Sequence, residues 1–194
     1  RIVRPPRGPT GRGGAGGPHA EERMRGTASG ERGRLGTDLV RGAVAGAVAT
    51  WLMDRVGWAL WNREDPRALA REEAARPEGM DPAHVAANRV ADAIGRPLHP
   101  RQPHPAGIAV HYAIGMVPAM AYAALRRRVP ALRTARGAAY GFGLFAAVDE
   151  GLVPALGLAS GPRAYPWQAH ARGLVSHLVL GVATDVTLAS ARAV

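Results

Sequence analysis

The chain has 194 residues and 25 basic residues, all arginine, against 15 acidic ones, for a formal net charge of +10; it contains no cysteine. Without cysteine there is no disulfide and no thiolate metal site. A mean hydropathy of -0.09 would suit a soluble protein if charge were evenly spread, but charge concentrates in residues 1 to 41, 62 to 101 and 126 to 136, leaving four blocks rich in Ala, Gly, Val and Leu.

Residues 1–37 come first. Their Arg, Gly and Pro content, with the run Gly11-Arg12-Gly13-Gly14, lacks the apolar residues that bury a core, so a disordered basic tail is expected. An RNA-binding arm of the arginine-glycine kind stacks bases on aromatic rings. No aromatic interleaves these arginines, so no nucleic-acid partner is expected, and contact with anionic lipid is the better use of the charge. No apolar run precedes residue 39, and no signal peptide is expected.

The four blocks run from Gly42 to Trp61, Pro105 to Leu125, Gly137 to Leu158 and Ala171 to Ala191. Each has the roughly 20 residues that cross a hydrocarbon core. Small residues recur within them at four-residue spacing: Gly42, Gly46 and Thr50, then Gly137 and Gly141, then Gly173, His177, Gly181 and Asp185. In lipid, close backbone approach at small residues supplies the packing, whereas an interior helical Gly in water costs about 1 kcal/mol relative to Ala. The expectation is an all-α fold, a four-helix transmembrane bundle over residues 38–194. Only the second block is clean. Asp54 and Arg55, Asp149 and Glu150, and Asp185 interrupt the others, leaving runs of about 12 apolar residues that also suit a soluble helical bundle.

Between the first two blocks lies a segment, 62–104, in which Asp65-Pro66 and Asp81-Pro82 read as N-caps followed by Pro at the first helical position. Two short helices are expected, Pro66 to Arg76 and Pro82 to Ile94, the second presenting a weak apolar face of Val85, Val90 and Ile94. The proline-rich lead from Pro97 to Pro105 carries His99 and His104. The turn between blocks two and three holds Arg126, Arg127, Arg128, Arg133 and Arg136. With four spans, this turn shares a side with the arginine-rich N-terminal segment and the C-terminus. Short arginine-rich segments stay cytoplasmic, so both termini are expected inside the inner membrane and segment 62–104 outside.

Four ionisable residues, one per block, then fall at similar depth. At about 1.5 Å per residue, Asp54, His111, Glu150 and His177 lie roughly 9 to 12 Å below the outer helix ends. Each sits on a small-residue face. Asp149 points about 100° away from Glu150 in a regular helix, where Arg55 or Arg172 could meet it. A buried ionisable group in a membrane is a functional hypothesis by default. Two carboxylates and two imidazoles can ligate a divalent metal or pass protons; alternatively, Asp54 with His111 and Glu150 with His177 are interhelical pairs that fix the packing. No His-x-x-His or Glu-x-x-His spacing singles out a metal.

The run His111-Tyr112-Ala113-Ile114-Gly115, the stretch from Gly141 through Asp149-Glu150 to Leu158, and Pro166-Trp167 followed by Arg172 to Val179 together resemble the YagU-like family of small bacterial inner-membrane proteins of uncharacterised function. The resemblance spans roughly residues 38 to 190. It implies an integral membrane fold and marks His111 and His177 as motif positions; Asp54 matches less well, and Asp149 matches better than Glu150. No hydrolase elbow, phosphate loop, dinucleotide fingerprint or zinc-protease motif occurs, so no enzyme and no resident cofactor are expected. The expected role is handling of protons, ions or a small solute in the outer half of the bundle, with a non-catalytic assembly role as the alternative. The lipid bilayer is the expected partner, and four helices are few enough that a homodimer is a natural assembly.

Overall fold

The computed structural model describes residues 18–98 and 102–191, with side chains from residue 33 onward. It divides into residues 1–36 and 37–194, and the packing described below lies within the second unit. Every regular element among the described residues is helical.

Helix α1 runs Pro18–Trp61, so it begins well before Gly42. Residues 18–37, expected to be disordered with the rest of the tail, are helical, while residues 1–17 lie outside the described residues. The local reason is legible: Pro18 stands at the first helical position and the following run, residues 19–25, is rich in strong helix formers, a signal masked by the tail's average composition. Helices α2 (Pro66–Ala75) and α3 (Pro82–Ala93) start where the Asp-Pro pairs indicated. Asp65 accepts from the Arg67 backbone N–H at 2.7 Å, and Asp81 from those of Ala83 and His84 at 3.0 Å. Gly95, at φ +70, turns the chain after α3.

Helix α3 buries small and polar side chains together with only part of its apolar face. Val85 is buried, but Val90 and Ile94 are exposed. The packed residues are Ala83, His84, Ala87, Asn88 and Ala91 beside Val85, and they rest on α4 (Pro105–Leu125). Small side chains let the two helices approach, and the His84 ring occupies the space a side chain on Gly107 would need.

Helix α4 packs on α1 the same way. A Cβ on Gly42 would stand 2.6 Å from the Met120 Cα, and one on Gly46 would stand 2.8 Å from the Met116 Cα. The third block is a composite: α5 (Ala138–Leu144), a π-helix over Phe145–Leu152, and α6 (Val153–Ala155). Against it lies α7 (Trp167–Ser190), with Gly137 and Gly141 touching the backbone of Gly181, and Gly141 also that of His177. Gly173 faces the Phe145 ring, which a Cβ would approach to 3.0 Å.

Much of the interior is small or polar: Ala45, Ala49, Thr50, Ala119, Ala123, Thr184 and Asp185 are buried, beside Tyr122, Leu180 and Leu188. Many large apolar side chains point outward, with Trp58 60%, Val117 63% and Leu156 56% exposed. Water-soluble domains put such residues inside and rarely expose broad apolar patches. Two of the described helices, Pro105–Leu125 and Trp167–Ser190, are long and apolar enough to cross a membrane.

Candidate functional site

The Gly46-Thr50-Asp54 stripe of α1 runs antiparallel to the Ala119-Gly115-His111 stripe of α4. Gly46 meets Ala119, and the Thr50 hydroxyl occupies the space beside Gly115. One turn further, Asp54 Oδ1 lies 2.9 Å from His111 Nε2. The pairing of these two residues follows from backbone contact one turn away, and both remain half-buried.

The π-helix decides where the next two carboxylates point. Its wider turns rotate the chain less per residue than an α-helix does. The Val153 N–H donates to the Val148 carbonyl, five residues back, and Pro154 has no N–H to restore the α pattern. Counting at α-helical pitch put Glu150 toward His177; instead Glu150 Oε1 lies 2.6 Å from His170 Nδ1. Asp149 Oδ2 lies 3.6 Å from His177 Nδ1, in place of the pairing with Arg55 or Arg172 entertained from sequence. Asp149 also lies within electrostatic reach of His111 and Glu150, so Asp54, His111, Asp149 and His177 share one region between the helices.

A fourth block starting at Ala171 leaves His170 just outside it. Helix α7 begins at Trp167, so His170 lies in its first turns and shares a face with His177 two turns later. The signal was present in sequence as a seven-residue spacing. His177 is buried; its Nδ1 lies 2.9 Å from the Gly173 carbonyl and its ring lies 5.8 Å from that of Phe145.

The α2–α3 segment caps this end of the helices. Arg172 pairs with both Glu64 and Glu72, and the guanidinium groups of Arg172 and Arg76 lie 4.6 and 5.0 Å from the Trp61 ring. Arg89 donates to the carbonyls of Leu156 and Gly157 at 3.0 and 2.7 Å, and the Ser160 hydroxyl to that of Ala75 at 2.6 Å. His84 is held by Asp81 through Nδ1 at 2.9 Å and accepts the His104 backbone N–H on Nε2 at 3.2 Å. His99 lies outside the described residues.

At the opposite end a second polar cluster closes the interior. Asp185 accepts from the Tyr122 hydroxyl at 2.6 Å and pairs with Arg126 at 2.7 Å. Tyr122 stacks on Tyr140 with ring centroids 4.4 Å apart. Sequence reading counted Arg126 among the loop arginines; its place at the last turn of α4, opposite an acidic residue on the small-residue stripe of α7, was the available signal.

Among the described residues, no three His, Asp or Glu side chains are disposed to hold one metal ion. What the arrangement offers is imidazoles backed by carboxylates, a pairing suited to holding or passing a proton.

A family model described as "Protein of unknown function (DUF1440)" matches residues 100–186. That stretch includes His111, Asp149, Glu150, His170, His177 and Asp185, and leaves out Asp54. Neither the curated proteins nor the solved structures contain a match to this chain.

Proposed function

We propose that the chain is a multi-pass integral membrane protein whose four long helical segments form a bundle, with the polar residues at its capped end handling protons, ions or a small solute. The observation that carries this is an inversion. Many large apolar side chains face outward, while Asp54, His111, Asp149 and His177 of α1, α4, the π-helix and α7 pair with one another between the helices. Lipid favours the first, and only partners or function tolerate the second. The arginine-rich N-terminal segment and the turn at 126–136 support a cytoplasmic location for the end bearing Arg126 in a bacterial inner membrane, with the α2–α3 cap outside.

The test is direct. Membranes washed with alkaline carbonate retain an integral protein, and release of the chain overturns the membrane reading. In vesicles containing the purified protein and a trapped pH dye, the wild type is expected to relax an imposed pH or cation gradient faster than protein-free vesicles. The bridging of α1 and α4 by Asp54 and His111 favours a second reading, in which the pairs fix helix assembly. That reading is upheld if no gradient relaxes faster than in protein-free vesicles and His111→Ala lowers only stability.

A further inference from the structure

Four carboxylate–imidazole pairs are present among the described residues, and their second ring nitrogens differ. His170 presents both nitrogens to acceptors, Nδ1 to Glu150 at 2.6 Å and Nε2 to the Pro162 carbonyl at 3.0 Å. Both contacts are hydrogen bonds only when the pair holds an additional proton, on the ring or on the carboxyl. His84 is equally closed. Its Nε2 accepts a backbone N–H, which assigns the proton to Nδ1 facing Asp81, and protonating Nε2 would break the contact with His104.

His177 and His111 are built otherwise. The Gly173 carbonyl can only accept, so His177 carries its hydrogen on Nδ1, with Asp149 on the same side of the ring. No described residue is bonded to its Nε2. His111 mirrors this: Nε2 faces Asp54 at 2.9 Å, and Nδ1 has no hydrogen-bond partner among the described residues. A carboxylate behind one nitrogen fixes the tautomer and stabilises the imidazolium formed when the other takes a proton.

Resting on the membrane-site reading above, we propose that the species handled is the proton itself, exchanged at His177 Nε2 and His111 Nδ1, while His170 and His84 are fixed and take no part. On uptake, the free lone pair binds H+ and the ring becomes a cation balanced by Asp149 or Asp54; release returns the same proton from the same nitrogen. The groups facing the two rings are Asp149 from the π-helix, Asp54 from α1 and Asp81 from the cap, with Glu150 acting on Asp149. Asp149 lies within electrostatic reach of both rings, so the two exchange sites are coupled through one carboxylate.

The experiment is ring-nitrogen NMR of the full chain, labelled with 15N-histidine, across pH, alongside proton flux in vesicles. Signals are assigned by single His→Gln variants. His177 is expected as the Nδ1–H tautomer when neutral and His111 as the Nε2–H tautomer, each taking up its second proton on the nitrogen that has no partner among the described residues. The His84 and His170 rings, bonded at both nitrogens, should show no tautomer exchange. H177Q should bring proton flux down to that of protein-free vesicles, while H170Q keeps it within about twofold of wild type, since its ring adds no exchangeable site. A His177 that carries its hydrogen on Nε2 or fails to titrate in the wild-type chain overturns the assignment, whether or not the variants fold. Undiminished flux in a folded H177Q protein does the same and leaves the membrane-site reading standing. Absence of wild-type proton flux together with measurable flux of another cation overturns the proton assignment alone; absence of any flux overturns the site reading itself.

Discussion

Arg126 and Asp185 form a buried ion pair, Nη2 to Oδ1 at 2.7 Å, joining the end of α4 to α7. The guanidinium side chain is only 1% exposed, and its Nε and Nη1 have no hydrogen-bond partner among the described residues. Removing one charge from such a pair strands the other, at about 3 to 5 kcal/mol. Arg126→Met is therefore expected to lower stability by about that much, and Asp185→Asn by a comparable amount. The double variant should lose less than the sum, because neither charge is left alone. Additive losses in SDS-unfolding titrations would show that the pair is not coupled.

The glycines can be sorted by what a methyl group would meet. At Gly141 a Cβ collides with the His177 carbonyl, whereas at Gly143 nothing lies within 4 Å. Gly141→Ala is expected to destabilise by about 1 to 3 kcal/mol through overpacking. Gly143→Ala should be neutral or stabilise by up to about 1 kcal/mol. Thermal unfolding of the two variants in one detergent reads the contrast, and equal effects would remove the case for close packing of α5 on α7.

Val117 discriminates between solvents. It is 63% exposed on a helix long and apolar enough to span a membrane. Facing lipid, Val117→Arg should cost about 2.5 to 3.5 kcal/mol in insertion; facing water, a surface change of this kind stays within about 0.5 kcal/mol. The membrane-integrated fraction of the newly made chain measures which applies, and an unchanged fraction argues for water.

Arg172 ties the cap to α7 through Glu64 and Glu72 and lies over Trp61. Arg172→Ala leaves two mostly buried carboxylates short of a partner, so the cap is expected to loosen by about 3 kcal/mol. Faster amide exchange across residues 66–75, with exchange in the middle of α7 unchanged, is the expected pattern. Protection unchanged in α2 would show that the cap is held elsewhere, for instance by Arg89.

Much of this fold was legible because its signals are local. The Asp-Pro caps of α2 and α3 and the bounds of α4 follow from residues next to one another in sequence, and Asp54 with His111 follows from two small-residue stripes of regular pitch. Where pitch changed, the reading failed. Glu150 was aimed at His177 because α-helical geometry was carried through Phe145–Leu152, and only the resemblance favouring Asp149 hinted otherwise. His170 was lost to a helix start set four residues late. Residues 18–37 were misjudged because an average over the tail hid a helix-forming run. Arg126 was read by its charge alone, since its burial depends on Asp185, distant in sequence.

Because the π-helix sets the aim of Asp149 and Glu150, that aim depends on how many residues precede them as much as on which residues they are. Deleting one position from this stretch, such as Ala146, would let it tighten toward α-helical pitch and re-aim its acidic neighbours while every charged residue was kept. A change in length here is thus a route by which related chains can exchange one set of buried partners for another, and alignments across it should be compared by spatial neighbour rather than by column.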